Sequence, residues 1–454
     1  MMILQDVMNL FSKESPVTVM LRGTLENVFS PETLDQLFRD HARQQHEDQL
    51  LFSTVADLMG LAVTKVRPSV HAAYQHRKEQ MTVTIKAVYD KLNGIEIQVS
   101  RALVRHTADH LEKLLVAMKA SLPPLLPGYR VKILDGNHLR RTERRLKPLR
   151  VLNAAPLPGQ ALVVLDPSLM LAIDVFPCED AHAQERSLLS EVLHTVAPGD
   201  LWIEDRNFCT VGFVCGIHRK QAAFLVRLHG KMPFASDGKM KRRGRCSTGV
   251  VYEEHVTVTD AEGGEHRFRH LVIDLDEPTR DGETEIHLLT NVPNRIPAKK
   301  LADLYRKRWT IEAAFGEIAA AFHGEVATLA YPPAALFAFC LALTMYNMLS
   351  VIKTVIRVAH GVSCETISMY HLAEEIACTY RGMMIALPPP CWREGFGDLT
   401  VPQMASKLMT LAKKVRLAHF RKHPRGPKKP PPKTFSKKGR NHISTKRVLE
   451  QSKT

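Results

Sequence analysis

The spacing of apolar and polar positions changes its rhythm several times along this 454-residue chain. Up to about residue 120 it is helical. Ser30, Pro31 and Glu32 place a capping residue before a proline at the first helical position, and Leu34, Leu37, Phe38 and His41 follow on one face. A second helical run covers about 84–119. The stretch LPPLLPG, Leu122–Gly128, then breaks the pattern and predicts a boundary. Beyond it come short β-like runs: Val131–Asp135, Ala161–Asp166, Met170–Phe176, Leu201–Asp205 and Ala223–His229. Helical stretches at Ala181–His194 and near 209–217 separate some of them. Strands first, then strand alternating with helix, predict an α/β sheet.

Residues 230–285 interrupt this rhythm. They hold the basic segment GKMKRRGR (Gly238–Arg245), then alternating runs joined by a hairpin-like pair, Gly263 and Gly264. An inserted β subdomain with a basic loop is expected. The α/β pattern resumes at Ile286–Val292, a long helix follows from about Pro297 to Phe322, and further helices reach about 420. The organisation predicted is helical over 1–125, a first core segment over 126–229, the insertion over 230–285, and a second core segment over 286–355. A helical region over 356–423 and a basic, disordered tail over 424–454 complete it. The tail is rich in proline and lysine and lacks the apolar residues needed to pack. No internal repeat is visible.

Composition alters this picture in three places. The net charge of +15 suggests a polyanionic partner, but from Lys413 onward fifteen Lys/Arg face one acid, Glu450, so the remaining chain is close to neutral. The eight cysteines contain no C-x-x-C pair and the first residues show no secretory pattern, so a reducing cytosol is expected and a zinc finger or disulfide framework is not. Ala334–Ile352 is a nineteen-residue run without a charge, near the length that spans a bilayer. It holds Thr344, Tyr346, Asn347 and Ser350, and is expected to be a buried core helix rather than a membrane span.

The chemistry centres on LYRKRWTIEAAF, Leu304–Phe315. At about 100° per residue, Leu304, Ile311, Phe315, Ile318 and Phe322 form one buried stripe. Tyr305, Arg308, Trp309 and Glu312 fall together beside it, at the rim of any cleft. Taken alone, Arg308 and Glu312 read as a surface i,i+4 pair in the weaker order, contributing about 0.2–0.5 kcal/mol. Two further acids, Asp135 and Asp205, end predicted strands, where open α/β sheets hold their sites. Gly136, Asn137 and His138 are expected to form a tight turn that exposes Asp135. Three carboxylates from separate segments could hold two Mg²⁺ ions for phosphodiester chemistry. Glu204 and Asp166 also end strands, which shows how weak each acid is singly. His218 near Cys209 and Cys215 is better explained by one small-residue helix than by a metal site.

The segments ILDGNH, LWIEDRNF and YRKRWTIEAAF, in that order, resemble the DDE signature of the insertion-sequence-four family of bacterial transposases. Tyr305, Arg308, Trp309 and Glu312 match its last motif, Y-x-x-R-W-x-x-E, position by position. The apolar helix with Met345–Leu349 resembles the stretch beyond that motif in the family, and the resemblance covers about 130–350. It implies a ribonuclease-H-like mixed-sheet core with an inserted β subdomain, flanked by helical regions, in which 1–125 could recognise DNA ends. It implies Asp135, Asp205 and Glu312 as catalytic metal ligands for a two-metal site of Mg²⁺, with Mn²⁺ able to substitute. The reaction implied is cleavage at transposon ends and strand transfer into target DNA. Tyr305, Arg308, Trp309, Arg206 and Asn207 are expected to contact DNA, with Arg141, Arg144, Lys241, Arg242 and Arg243 from two basic stretches. The partners implied are double-stranded DNA with terminal inverted repeats and a second copy of the chain in a synaptic complex, in the bacterial cytoplasm at the nucleoid, without a membrane.

Two positions depart from the family. A lysine usual seven residues after the glutamate is Ala319 here, and the insertion has no tryptophan, leaving Phe234, Tyr252 or Phe268 as its aromatics. Both keep open the alternative of a DNA-binding protein that retains the fold without catalysis.

Overall fold

The computed structural model describes residues 2–45, 49–423 and 442–452. Seven helices open the chain: α1 (Met2–Glu14), α2 (Pro16–Val28), α3 (Pro31–His41), α4 (Phe52–Val63), α5 (Val70–His76), α6 (Ile85–Asn93) and α7 (Ile97–Ala117). The expected cap is present, with Ser30 Oγ accepting from Thr33 N at 3.1 Å at the start of α3. The run expected over 84–119 is two helices, because Asn93 and Gly94 end α6 before α7 begins.

Strands β1 (Arg130–His138), β2 (Ala155–Leu157), β3 (Gln160–Asp166), β4 (Leu171–Cys178), β5 (Asp200–Glu204), β6 (Ala223–Arg227), β7 (Ala235–Ser236), β8 (Lys241–Cys246), β9 (Gly249–Thr259), β10 (Glu265–Leu275) and β11 (Glu285–Thr290) come next. Short helices α8 (Lys147–Arg150), α9 (Leu189–His194) and α10 (Val211–Arg219) lie among them. The main sheet runs β4-β3-β1-β5-β6-β11-β10-β9-β7, with β8 also on β9. β3 is antiparallel to both β1 and β4, while β1, β5 and β6 are mutually parallel. This is a mixed α/β sheet with helices on both faces.

The strands of residues 230–285 continue this same sheet, with β10 antiparallel to β11 and β9 to β10. The basic segment expected as a loop is mostly strand β8. Its register against β9 shifts between Arg242 and Gly244, and Gly244 has φ of 110°, a conformation that suits glycine at a bulge. The turn before β10 carries Gly263 at φ 85°, as its hairpin pattern predicted.

Helices α11 (Ala298–Tyr305) and α12 (Trp309–Ala321) replace the single long helix expected, joined by a 3₁₀ turn over Arg306–Arg308. The tightened turn rotates α12 relative to α11, so a wheel drawn at one pitch does not hold across both. The C-terminal helices are α13 (Pro332–His360), α14 (Met369–Ala386), α15 (Pro389–Trp392) and α16 (Val401–Ala412). α13 contains the uncharged run and is long and apolar enough to cross a membrane, but that run lies wholly inside the core. Two of its polar residues have partners there: Asn347 accepts from Ala172 N and donates to Ala172 O, both at 2.8 Å, and Ser350 Oγ donates to Met170 O at 2.7 Å. β4 is an edge strand of the sheet, so Asn347 completes backbone bonding that no neighbouring strand supplies.

Two apolar cores sandwich the sheet. The larger joins Ile133, Leu201 and Ile203 to the N-terminal helices, α12 and α13. The smaller joins Leu134, Trp202 and Phe224 to α9 and α10. The tail expectation is corrected at its end. Residues His442–Ser444 form β12, parallel to β2, and α17 (Thr445–Gln451) comes after it, with Arg447 Nε donating to Asp180 at 2.6 Å. Residues 424–441 lie outside the described residues.

Candidate active site

The parallel pairing of β1 with β5 places two of the acids together. Leu134 is the last β1 residue opposite a β5 residue, Glu204, so Asp135 and Asp205 are the next positions on adjacent strands. Side chains alternate along a strand, which sends both acids to the face of Ile133 and Ile203, where α12 packs. Glu204 points to the opposite face. It is fully buried, neither carboxylate oxygen has a partner among the described residues, and burial pushes its proton affinity well above the carboxylate range.

β1 does not turn after Asp135, as expected, but continues to His138, with Asp135 opposite Val163 and His138 opposite Gln160 of β3. The glycine has a different purpose from a turn. A Cβ at Gly136 would stand 1.9 Å from Glu185 Oε1, so any side chain there would force that carboxylate to move. Glu185 in turn accepts from the Asn207 side chain, and its Oε1 lies 3.9 Å from His138 Nδ1. Nothing in the local pattern singles out Glu185. Only the pairing of strands brings it to the site.

Glu312 joins from α12. Arg308 bridges it to the strands: Nη1 donates to Asp135 at 3.0 Å and Nη2 to Glu312 at 2.8 Å. Asp205 also acts on Arg308 through its charge, while Asp135 and Glu312 are the two acids hydrogen-bonded to it. Burial pushes Asp135 up to about 6, against the pull of Arg308 and of the Gly136 amide, and the charges of Glu312 and Asp205 push it further the same way. Arg308 is thus not a surface partner of Glu312 alone. It is 9% exposed, and it is the cation at the centre of an acidic group.

The other expected contacts separate into two sets. Tyr305 is buried, its hydroxyl lacks a hydrogen-bond partner among the described residues, and burial raises its proton affinity. Asn207 is spent on Glu185, Arg206 pairs with Glu283, and Arg243 pairs with Glu253 at 2.6 Å. Trp309 is instead 63% exposed, with the Arg308 guanidinium 5.4 Å from its ring. Arg141, Arg144, Lys241 and Arg242 are exposed as well. Ala319 lines a small cavity with Asn137, Arg140, Phe315 and Phe339.

No group of three or more His, Cys, Asp or Glu side chains among the described residues is gathered closely enough to hold a metal ion. The donor chemistry nevertheless suits a hard divalent cation, since Asp135, Asp205 and Glu312 are all oxygen donors and two of them share one positive group. Arg308 holds two of them as a counter-ion would.

Residues 157–348 match the family model described as the transposase DDE domain. The match includes Asp205 and Glu312 and begins past Asp135. The middle of this chain is therefore similar to a transposase DDE domain. No curated protein matches the chain. Among solved structures, it is similar to a piggyBac transposase synaptic complex with hairpin DNA determined by cryo-electron microscopy. That likeness is loose: 8% identity over 90% of this chain and 85% of the other, at a TM-score of 0.37.

Proposed function

We propose that the protein is a DDE transposase of the insertion-sequence-four kind, cutting DNA at transposon ends and joining it to target DNA. The observation that carries this reading is the bridging of Asp135 and Glu312 by Arg308, with Asp205 at the strand position beside Asp135, in a chain whose middle matches the transposase DDE domain. Asp135, Asp205 and Glu312 would hold two Mg²⁺ ions, with Mn²⁺ able to substitute. Bound there, such ions supply charge stabilisation and an activated water for phosphodiester cleavage.

The protein's own residues prepare the site. The sheet fixes Asp135 and Asp205 at adjacent positions, and α12 brings Glu312 to them across Arg308. Arg308 holds two of the carboxylates that would bind such ions, and released from them its guanidinium would be free to take a DNA phosphate oxygen beside the cut. Trp309 offers an exposed ring next to it on which a base can stack. The exposed cations Arg141, Arg144, Lys241 and Arg242 would hold backbone phosphates without reading sequence. Duplex DNA with terminal inverted repeats, a second copy of the chain, and the bacterial nucleoid complete the reading.

The test uses the full chain with DNA carrying the repeats that flank its gene. Cleavage should require Mg²⁺ or Mn²⁺. Asp135→Asn, Asp205→Asn and Glu312→Gln should each lower its rate by about 10²–10³-fold or more. Metal-dependent cleavage that survives these substitutions would falsify this active site. DNA binding without cleavage by the unaltered chain would favour the non-catalytic alternative that Ala319 keeps open.

A further inference from the structure

A second concentration of charge lies beyond the acids. The stretch TKVRPSVHAAYQHRK, Thr64–Lys78, contains four Lys/Arg, two histidines and no acid. Folding fastens it to the helix that carries Glu312. α4 ends at Val63, and Lys65 adopts a left-handed backbone at φ 61°. Lys65 Nζ donates to Ala320 O on α12 at 2.9 Å, and His323 N donates to Val63 O at 2.7 Å. Ala320 lies eight residues beyond Glu312 on the helix, about 12 Å along the axis.

Three arginines gather at this turn from three elements. Arg67 lies on the turn itself. Arg77 comes directly after α5, and Arg381 reaches from α14, its Nε donating to Val66 O at 2.6 Å. Arg77 pairs with Asp57 of α4. The Arg67 side chain has no hydrogen bond or ion pair among the described residues. The three are close enough to oppose one another: Arg381 and Arg77 add to burial in lowering the proton affinity of Arg67. Burial and then the same three arginines lower that of His76. A purely structural cluster would give each guanidinium an acid or a set of carbonyls. Here Asp57 is taken by one arginine, and Arg67 is left with donors and no acceptor.

We infer that Lys65, Arg67, Arg77 and Arg381 form a phosphate-binding patch that holds the DNA backbone beyond the acid group, along the direction of α12. This rests on the reading of the protein as a DNA-cutting enzyme. Lys65 and Arg381 are exposed and Arg67 and Arg77 half-buried. That open spread over three elements suits the repeating phosphates of a duplex. It does not enclose a single small anion.

The experiment measures duplex DNA affinity of the full chain against salt concentration, for the unaltered protein and for Arg67→Gln combined with Arg381→Gln. Each lost phosphate contact lowers the slope of log affinity against log salt by about 0.9, so the double variant should lose about 2. Between 50 and 200 mM salt its affinity should then fall about tenfold less than that of the unaltered chain. Arg67→Gln alone should lower the slope by about 1. It removes no hydrogen bond among the described residues, so it keeps the test valid should the double variant not fold. An unchanged slope in folded variants overturns the patch. So does a loss confined to single-stranded RNA or an acidic polypeptide. Metal-dependent cleavage by the unaltered chain with an unchanged slope removes the patch and leaves the enzyme reading standing. A reduced slope without such cleavage does the reverse.

Discussion

Asp135 accepts from Arg308 and from the Gly136 amide, yet burial leaves its carboxyl titrating at about 6 rather than at its ordinary 3.8. The folded protein therefore holds this proton more tightly than the unfolded chain. Stability falls as pH rises from 3.8 through about 6, and the cost is complete above that. That cost is at most about 3 kcal/mol. Asp135→Asn keeps the acceptor oxygen and removes the charge. In the presence of a chelator, the variant should unfold at a higher temperature than the unaltered chain at pH 8, with the gap closing toward pH 4. A gap independent of pH would show that burial of the charge is not its origin. That the three acids sit on or beside two neighbouring strands and a helix was legible in the sequence, because each belongs to a short motif and two end runs of β-like pattern. The neutralising place of Arg308 was not, since one-dimensional spacing pairs it only with Glu312. Glu185 was equally hidden, because its contact with Gly136 spans 49 positions and depends on how β1 sits in the sheet.

At the scale of elements, the uncharged run of α13 was readable as a core helix from its polar residues, but their partners were not. Asn347 is buried and exchanges two hydrogen bonds with the backbone of Ala172 on edge strand β4. Asn347→Ala would leave a buried N–H and a buried C=O without partners. At about 1–3 kcal/mol for each orphaned group, the loss should be about 2–6 kcal/mol. Chemical denaturation should show a lower midpoint with little change in slope, and an unaltered midpoint would mean that water or a shifted strand replaces the amide. The inserted strands were legible as strands but not as members of the central sheet. Alternation along β9 and β10 specifies which residues share a face, while the choice of β11 as neighbour is made by pairing between distant segments. The basic segment at 238–245 misled for the same reason, since a run of cations reads as a loop until a partner strand, here β9, is known.

Across the whole molecule, charge is very unevenly placed. The net +14 carried from Lys413 onward leaves the first 412 residues nearly neutral, so under the proposed function long-range attraction toward DNA would depend on the C-terminal segment. Both flanks of residues 424–441 are docked on the body. Lys422 Nζ lies 3.2 Å from Glu317 on α12, the helix of Glu312, and β12 pairs with β2 while α17 packs against α8. The seven cations between them, Arg425, Lys428, Lys429, Lys433, Lys437, Lys438 and Arg440, can therefore be neutralised without touching either docked flank. Replacing all seven by glutamine should leave the melting temperature unchanged. It should reduce the salt dependence of DNA binding by several units of slope, at most about 6 if every cation meets a phosphate. The association rate at low salt should fall with it, since steering acts before contact. An unchanged slope and rate would place the attraction on the body instead, at the exposed cations of β8, the 140–150 stretch and the turn at Lys65. The net charge of the chain would then be no guide to how DNA reaches Asp135, Asp205 and Glu312.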